Sequence, residues 1–289
     1  MGARLRRVEV VANIHSGGVS PDAPGEIDKI LADHGLAAHI CAPEKGDLEA
    51  CLRAAVDAAP DLLIVLAGDG TARAAAELSG PDGPMIAPLA GGTMNMLPHA
   101  VYGPRSWQTA LSIALEQGHE ETIGGGQVEG ASFLVAGVFG APALWAQARE
   151  AARDRRPRLA WLRARRAMRR AFHGRLRYAV DGGERQKTEA LVCMCPLTSR
   201  ALANEEQALE AAALDLSGAL DAFRLGFYAL RGDWRDAPGV QVERCRTARV
   251  WAAHGIPAIL DGEPVRLKSH AEVRYEPRLA RILAIPKDV

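Results

Sequence analysis

Residues 62–71 read LLIVLAGDGT, and residues 88–95 read PLAGGTMN. Residues 62–66 are five consecutive apolar side chains, the pattern of a strand buried on both faces, and residues 85–89 are a weaker version of it. Each run passes through a glycine turn into a stretch of helical character. A strand, a bare turn and a helix start bring backbone N–H groups together at a point no side chain blocks, which is how proteins bind anions. These two turns predict the phosphate end of a nucleotide site.

Outward from them the pattern repeats. Residues 8–12 form a short apolar strand that runs into Asn13-Ile14-His15-Ser16-Gly17-Gly18, a turn of small and polar residues. Residues 22–34, 47–58, 71–78 and 107–117 read as helices, and residues 37–41 as a further strand. Strands alternating with helices predict a parallel sheet with helices on both faces. Ligands of such sheets bind outside the carboxyl ends of the strands. All three small-residue turns fall there.

The pattern changes after Gly124-Gly125-Gly126, read as a hinge. Residues 127–138 alternate only partly. Residues 175–180, 189–195, 220–230, 241–251, 256–260 and 279–285 read as strands divided by Gly, Pro and Asp turns. Only residues 142–172, and residues 204–213 as a second candidate, look helical. The expectation is an α/β plus mostly-β protein: an N-terminal parallel-sheet nucleotide-binding domain over 1–122, then an antiparallel β domain over 123–289 with a helical, arginine-rich insertion at 142–173.

Composition sets outer bounds. The chain has 289 residues, enough for two domains, and 48% hydrophobic content, enough for a full core. Thirty-five Lys and Arg balance 35 Asp and Glu, so net charge argues neither for nor against a nucleic-acid partner. No stretch approaches the roughly 18 apolar residues of a membrane span, and the N-terminus has no apolar core of a signal peptide. The five cysteines, Cys41, Cys51, Cys193, Cys195 and Cys245, are scattered and odd in number, which predicts no disulfide framework and a cytosolic compartment. Cys193 and Cys195 share one face of a strand. They read as two small core residues rather than a metal site, since no second Cys/His pair lies at ligand spacing. His15, His99 and His254 read as loop histidines.

Gly68-Asp69-Gly70-Thr71 is the sharpest chemical signal. Gly68 and Gly70 let backbone approach a phosphate, and Thr71 can donate a hydroxyl or cap the helix. Asp69 is repulsive beside a phosphate unless it holds a metal or accepts a proton. A plain Asx turn between strand and helix explains the same four residues. Gly91-Gly92-Thr93-Met94-Asn95 repeats this chemistry about one βα unit later.

In this order, N-x-x-S-G-G at 13–18, GDGT at 68–71 and PLxGGTxN at 88–95 resemble the diacylglycerol kinase catalytic-domain family. That family includes bacterial lipid kinases and sphingosine kinases, and its nucleotide fold is related to NAD kinases and phosphofructokinases. Asp261-Gly262-Glu263 resembles its second acidic motif, and FLVAGVFGA at 133–141 the segment that opens its second domain. The resemblance implies an ATP- and Mg²⁺-dependent kinase acting on a lipid hydroxyl, diacylglycerol-like or sphingoid. It puts Asn13, Ser16 and Gly17 beside the nucleotide phosphates, Gly68, Gly70 and Thr71 in the main phosphate loop, and Gly91, Gly92, Thr93 and Asn95 in a second wall. It makes Asp69 a Mg²⁺ ligand or the group that orients the acceptor, Glu263 the general base, and Asp261 a further candidate metal ligand. ATP would lie on the first domain and the lipid on the second.

The sequence departs from the family's pattern. Ala67 stands where the family usually has Gly, and Arg73 and Ala74 where it often has Asn-Glu. Met96 stands where it often has Asp, and Gly124 where an acid is common. Some of those acids hold a structural Mg²⁺ in bacterial lipid kinases, so that second ion is in doubt here. Two other readings stay open: a NAD kinase-like kinase of a soluble acceptor, and a catalytically inactive nucleotide- or lipid-binding protein. The Asp-Gly pair at 261–262 is also an ordinary hairpin signal.

Residues 149–177 hold 12 Arg against Glu150 and Asp154. Trp161, Ala164, Met168 and Phe172 fall on one helical stripe, with most arginines off it. A basic amphipathic helix can lie on an anionic membrane, and a packed helix with a solvated face has the same pattern. The expectation is a cytoplasmic protein with peripheral membrane contact through 149–177 and no nucleic-acid partner.

Overall fold

A computed structural model describes residues 5–43, 47–140, 176–199, 202, 207–215, 235 and 239–286. The arginine-rich stretch up to 175, the helix expected at 142–172 and the strand expected at 220–230 lie outside the described residues. The chain forms two compact units, Met1–Gly124 with Arg278–Val289, and Gly125–Pro277.

The first unit alternates as the sequence predicts: β1 (Val8–Ala12), α1 (Ala23–Asp33), β2 (Ala38–Cys41), α2 (Leu48–Asp57), β3 (Leu62–Ala67), α3 (Asp69–Ser79), β4 (Met85–Ala90), α4 (Met96–Tyr102), α5 (Trp107–Gln117). The strands are parallel in the order β2-β1-β3-β4. Every residue of β3 is buried, because helices cover both faces. Val8, Val10, Leu62, Ile64, Leu66, Ala87 and Leu89 alternate into one cluster with Ile27 and Leu31 of α1 and Leu111 of α5. α2 and α3 pack on each other and against β1, β3 and β4.

α5 starts at Ser106, whose Oγ accepts the Thr109 N–H at 3.2 Å, a regular N-cap. α4 has no counterpart in the sequence reading. Pro98 at its third position argues against a helix, yet a first-turn proline has no intrahelical N–H to lose. Buried Tyr102 ends α4, and its hydroxyl donates to the Leu283 carbonyl at 2.8 Å.

Leu283 belongs to the last strand. β5 (His119–Val128) and β16 (His270–Ala284) pair with each other, and each passes from one unit into the other. Gly124–126 is therefore not a loop hinge: it lies inside β5, at the division between the units. A Cβ on Gly126 would sit 2.0 Å from the Phe133 ring, so the glycine makes room for an aromatic side chain. Residues 278–289 return to the first unit, where Ile282 pairs in parallel with Ile86. The sequence pattern marks the strand but not its partner, so a division at 122/123 assigns this end to the second domain.

The second unit is antiparallel. It contains β6 (Ala131–Phe133), β7 (Ala136–Gly140), β8 (Leu176–Val180), β9 (Gln186–Thr188), β10 (Ala190–Met194), β11 (Leu209–Leu214), β12 (Val240–Cys245), β13 (Thr247–Trp251), β14 (Ile256–Leu260) and β15 (Glu263–Leu267). One sheet runs β12-β11-β10-β7-β14-β15, and the other path runs from β16 through β13 and β8 to β9. Phe139, Leu191, Leu209 and Leu260 from the first and Tyr178, Val250 and Val273 from the second share one apolar cluster. The expected fold class is the observed one. One element differs: LEAAAL, part of the candidate helix at 204–213, is the fully buried strand β11. Alanine favours a helix in isolation, but two antiparallel neighbours and complete burial override that preference.

The cysteines divide. Cys41 at the end of β2 is bonded to Cys51 in α2, one bridge where the sequence predicts none, while Cys193, Cys195 and Cys245 are free and buried. Cys193 and Cys195 pack in the apolar cluster of the second unit, in keeping with small core residues. Burial pushes both thiols well up, and pushes Cys245 up to about 12. The reactive species is the thiolate. A thiol reagent near neutral pH therefore leaves the native protein unlabelled, labels three cysteines after denaturation without reductant, and labels five after reduction. Five labels before reduction would show that the Cys41–Cys51 bridge is absent.

Candidate functional site

Three turns meet at the carboxyl edge of the parallel sheet. The first leaves β1: Asn13 N–H donates to the Leu66 carbonyl at 2.9 Å, so the β1–β3 ladder runs one residue past the strand. Asn13 Oδ1 accepts the His15 N–H at 3.1 Å, and the Asn13 carbonyl accepts the Ser16 N–H at 2.9 Å, which turns the chain. The Gly18 N–H then donates to the Gly91 carbonyl at 3.2 Å, which binds the first turn to the third.

The second turn caps α3. Gly68 is the N-cap, in extended conformation, and its carbonyl accepts the N–H groups of Thr71 and Ala72. Thr71 is thus inside the first helical turn rather than its cap. A helix's first N–H groups have no carbonyl of their own helix to bond, so they are available to an anion. Asp69, the first helical residue, is buried, and its Oδ1 accepts the Leu97 N–H of α4 at 3.2 Å.

The third turn follows β4. The Gly91 N–H donates to the Ala67 carbonyl at 3.1 Å. Asn95 sits at φ 50°, a left-handed conformation asparagine tolerates. Its Oδ1 accepts the Gly92 N–H at 2.7 Å and its Nδ2 donates to the Gly92 carbonyl at 3.1 Å. Asn95 is therefore the clasp of this turn, and Thr93 and Met94 stand exposed at its tip.

The glycines are needed because backbone packs on backbone. A Cβ on Gly92 would lie 2.7 Å from the Gly68 Cα, and one on Gly91 would lie 2.9 Å from the Ala67 nitrogen. A Cβ on Gly18 would lie 3.1 Å from the Gly91 carbonyl oxygen. Ser16 Oγ is 4.0 Å from the Cβ position of Gly68, while nothing lies within 4 Å of that of Gly17. Asn13, Ser16, Gly17, Gly68, Gly70, Thr71, Gly91, Gly92, Thr93 and Asn95 thus come from three turns that touch one another. Gly18 belongs with them; its signal was the second glycine of Ser-Gly-Gly.

The acidic pair lies in the second unit. Asp261 and Gly262 have φ of 47° and 87° and join β14 to β15, the two-residue turn that Asp-Gly favours. Asp261 is buried. Its Oδ2 accepts the Leu134 N–H at 2.7 Å, and its Oδ1 accepts those of Val135 and Ala136, each at 2.9 Å. That carboxylate anchors the bend between β6 and β7, which leaves it poorly suited to hold a metal. Glu263 opens β15 and is half-buried. No group of three or more His, Cys, Asp or Glu that could hold a metal occurs among the described residues. A phosphate-bound Mg²⁺ needs only one or two protein carboxylates, and Asp69 fits that requirement. At the sites of the departures, Ala74 is half-buried on α3, Met96 opens α4 and Gly124 lies in β5.

Residues 7–128 match the family model of the diacylglycerol kinase catalytic domain, the family that the motifs of this segment resemble. None of the curated proteins matches this chain. A diacylglycerol kinase from Bacillus anthracis str. Sterne has a similar fold, with a TM-score of 0.70 at 14% identity over 99% of this chain and 100% of that one. A second structure from that organism, provisionally assigned as a diacylglycerol kinase, gives 0.75 at 16% identity over the same shares. Yeast NADH kinase, in complex with NADH, gives 0.52 at 11% identity over 98% of this chain and 84% of that one.

Two glycine substitutions separate packing from binding. Gly92→Ala forces its Cβ onto Gly68 and lowers stability in urea by about 1–3 kcal/mol. Gly17→Ala meets open space and leaves stability within about 0.5 kcal/mol of wild type. Equal unfolding midpoints for the two variants would show that the turns do not pack as described.

Proposed function

We propose that this chain is an ATP- and Mg²⁺-dependent kinase that transfers the γ-phosphoryl group to a lipid hydroxyl, diacylglycerol-like or sphingoid. The convergence of three glycine-bearing turns on the start of α3 carries the nucleotide half of this reading. The lipid half rests on the description of the matching family and on the turn over residues 88–95. The protein would work in the cytoplasm and reach its acceptor at the membrane surface.

Phosphoryl transfer asks little covalent help of a protein; it needs neutralised charge and an aligned acceptor. The backbone N–H groups at Gly68, Asp69 and Gly70 and the dipole of α3 face phosphate oxygens, with Ser16 and Thr71 hydroxyls as donors. Asn13 and Asn95 hold the first and third turns in shape. Asp69 would take a Mg²⁺ together with phosphate oxygens, and that ion supplies positive charge against the phosphates. Glu263 accepts the proton of the acceptor hydroxyl as its oxygen bonds to the γ-phosphorus and the bond to the β-phosphate bridging oxygen breaks. ADP leaves.

The fold likeness to yeast NADH kinase supports one rival, a kinase of a soluble dinucleotide acceptor. Labelled ATP offered with detergent-dispersed extracted lipids and with NAD(H) in parallel decides between them. Label in the lipid phase supports the proposal. Label in the dinucleotide makes the acceptor soluble, and nucleotide binding with no transfer makes the protein a binding module.

Asp69→Asn keeps an oxygen for the Leu97 N–H and removes the charge. Glu263→Gln keeps shape and removes the base. Each lowers kcat by about 100-fold or more while the melting temperature stays near wild type. Full turnover by both variants with the true acceptor removes these roles.

A further inference from the structure

The outer face of the antiparallel path β9-β8-β13-β16 carries charge of nearly one sign. Leu176, Tyr178, Ala248, Val250, Ala271 and Val273 of these strands point into the core. Alternate residues therefore point outward. In register across the strands stand Lys187, Arg177, Trp251 and His270. Two residues along β13, Arg249 stands beside Glu272, and two further on, Thr247 stands beside Arg274. Arg185, just before β9, reaches over the Trp251 ring at 4.2 Å. Five Lys and Arg and a histidine thus meet Glu272, which Arg249 and Arg274 both bridge, and Glu276 is the next outward acid along β16. Those two guanidiniums remain 53% and 71% exposed. Asp181 and Glu184 lie in the turn between β8 and β9, and Asp181 is held by the N–H groups of Arg246 and Thr247. The whole chain is neutral, so this face is a local separation of charge.

We infer that this face docks on an anionic lipid bilayer. Charge complementarity selects an anionic partner, and the tryptophan selects among anionic partners. His270 stacks on Trp251 with centroids 5.2 Å apart, from the β16 flank, while Arg185 covers the ring from the β9 flank. A single-stranded nucleic acid would need an open ring face for a base to stack on, and Trp251 already carries a stacked imidazole and a guanidinium. A bilayer needs no such opening. Amphipathic Trp, Arg and Lys side chains sit at the headgroup level with apolar parts inward and charge outward. Beside this face a shallow depression of about 510 Å³, lined in part by Lys268, His270 and Arg274, adds room for a headgroup. Glu129 and Glu272 also line it, and a Glu129 carboxylate oxygen accepts the Lys268 N–H.

The inference stands apart from the kinase proposal, because vesicle binding is read without turnover. The full chain is sedimented with phosphatidylcholine vesicles, alone or with one third phosphatidylglycerol. It partitions onto the anionic vesicles only, and added salt releases it. The triple variant Arg177→Gln, Arg185→Gln, Lys187→Gln binds at least tenfold more weakly, given about fivefold per cation. Glu272→Gln removes the carboxylate between Arg249 and Arg274 and binds a few-fold more tightly to the anionic vesicles with no gain on phosphatidylcholine alone, whereas misfolding would raise binding to both. Arg53→Gln, on α2, changes nothing. Equal partition of wild type and triple variant overturns the inference, as does tighter binding to a random DNA duplex or single strand than to anionic vesicles at equal salt.

Discussion

The Gly91 carbonyl accepts from Gly18 while the Gly91 N–H donates to the Ala67 carbonyl, so one residue joins all three turns at the sheet edge. Such a contact requires main chains to approach with nothing between them. The 2.7 Å that would separate a Gly92 Cβ from the Gly68 Cα states the requirement as a distance. Any larger residue pushes the third turn off the second. α3 could still form after that, but its start would face a side chain instead of a concave run of amides. The close packing of the three turns is thus set by what these positions lack.

Around that contact the polar side chains divide their labour. Asn13 and Asn95 spend their hydrogen bonds on turning their own segments. Asp69 gives one oxygen to α4, and so connects the second turn to the third while carrying charge at the site. In the second unit Asp261 does comparable work for the β6–β7 bend with three backbone donors. Two acidic motifs that look alike in sequence therefore differ: one acid ties two helices' starts together beside the bare turns, and the other is consumed in holding a corner.

Much of the first unit was legible because its signals are local. β3 is a continuous apolar run, α5 starts at a serine cap, and the glycines fall where strands end. α4 was hidden by Pro98, whose cost vanishes only if the helix begins where it does. β11 was hidden by its alanines, since burial between two strands has no signature in one dimension. The glycines of β5 look like a break, and the aromatic ring that needs the missing Cβ of Gly126 is Phe133, on the next strand of the hairpin. Within the site the glycines announced themselves, whereas the clasp made by Asn95 and the bridge from Asp69 to Leu97 depend on side-chain direction. No spacing rule reveals that.

β16 gives its first half to the antiparallel unit and its last turns of chain to the parallel one, beside β4. The first unit is therefore not contiguous in the gene. A fragment ended at Gly124 would leave the β4 edge with open amides and carbonyls and would lose the acceptor of the Tyr102 hydroxyl. Such a truncation invites self-association through that raw edge. Any attempt to express the parallel unit alone calls for grafting residues 278–286 back on through a linker, or for a circular permutant that makes them adjacent.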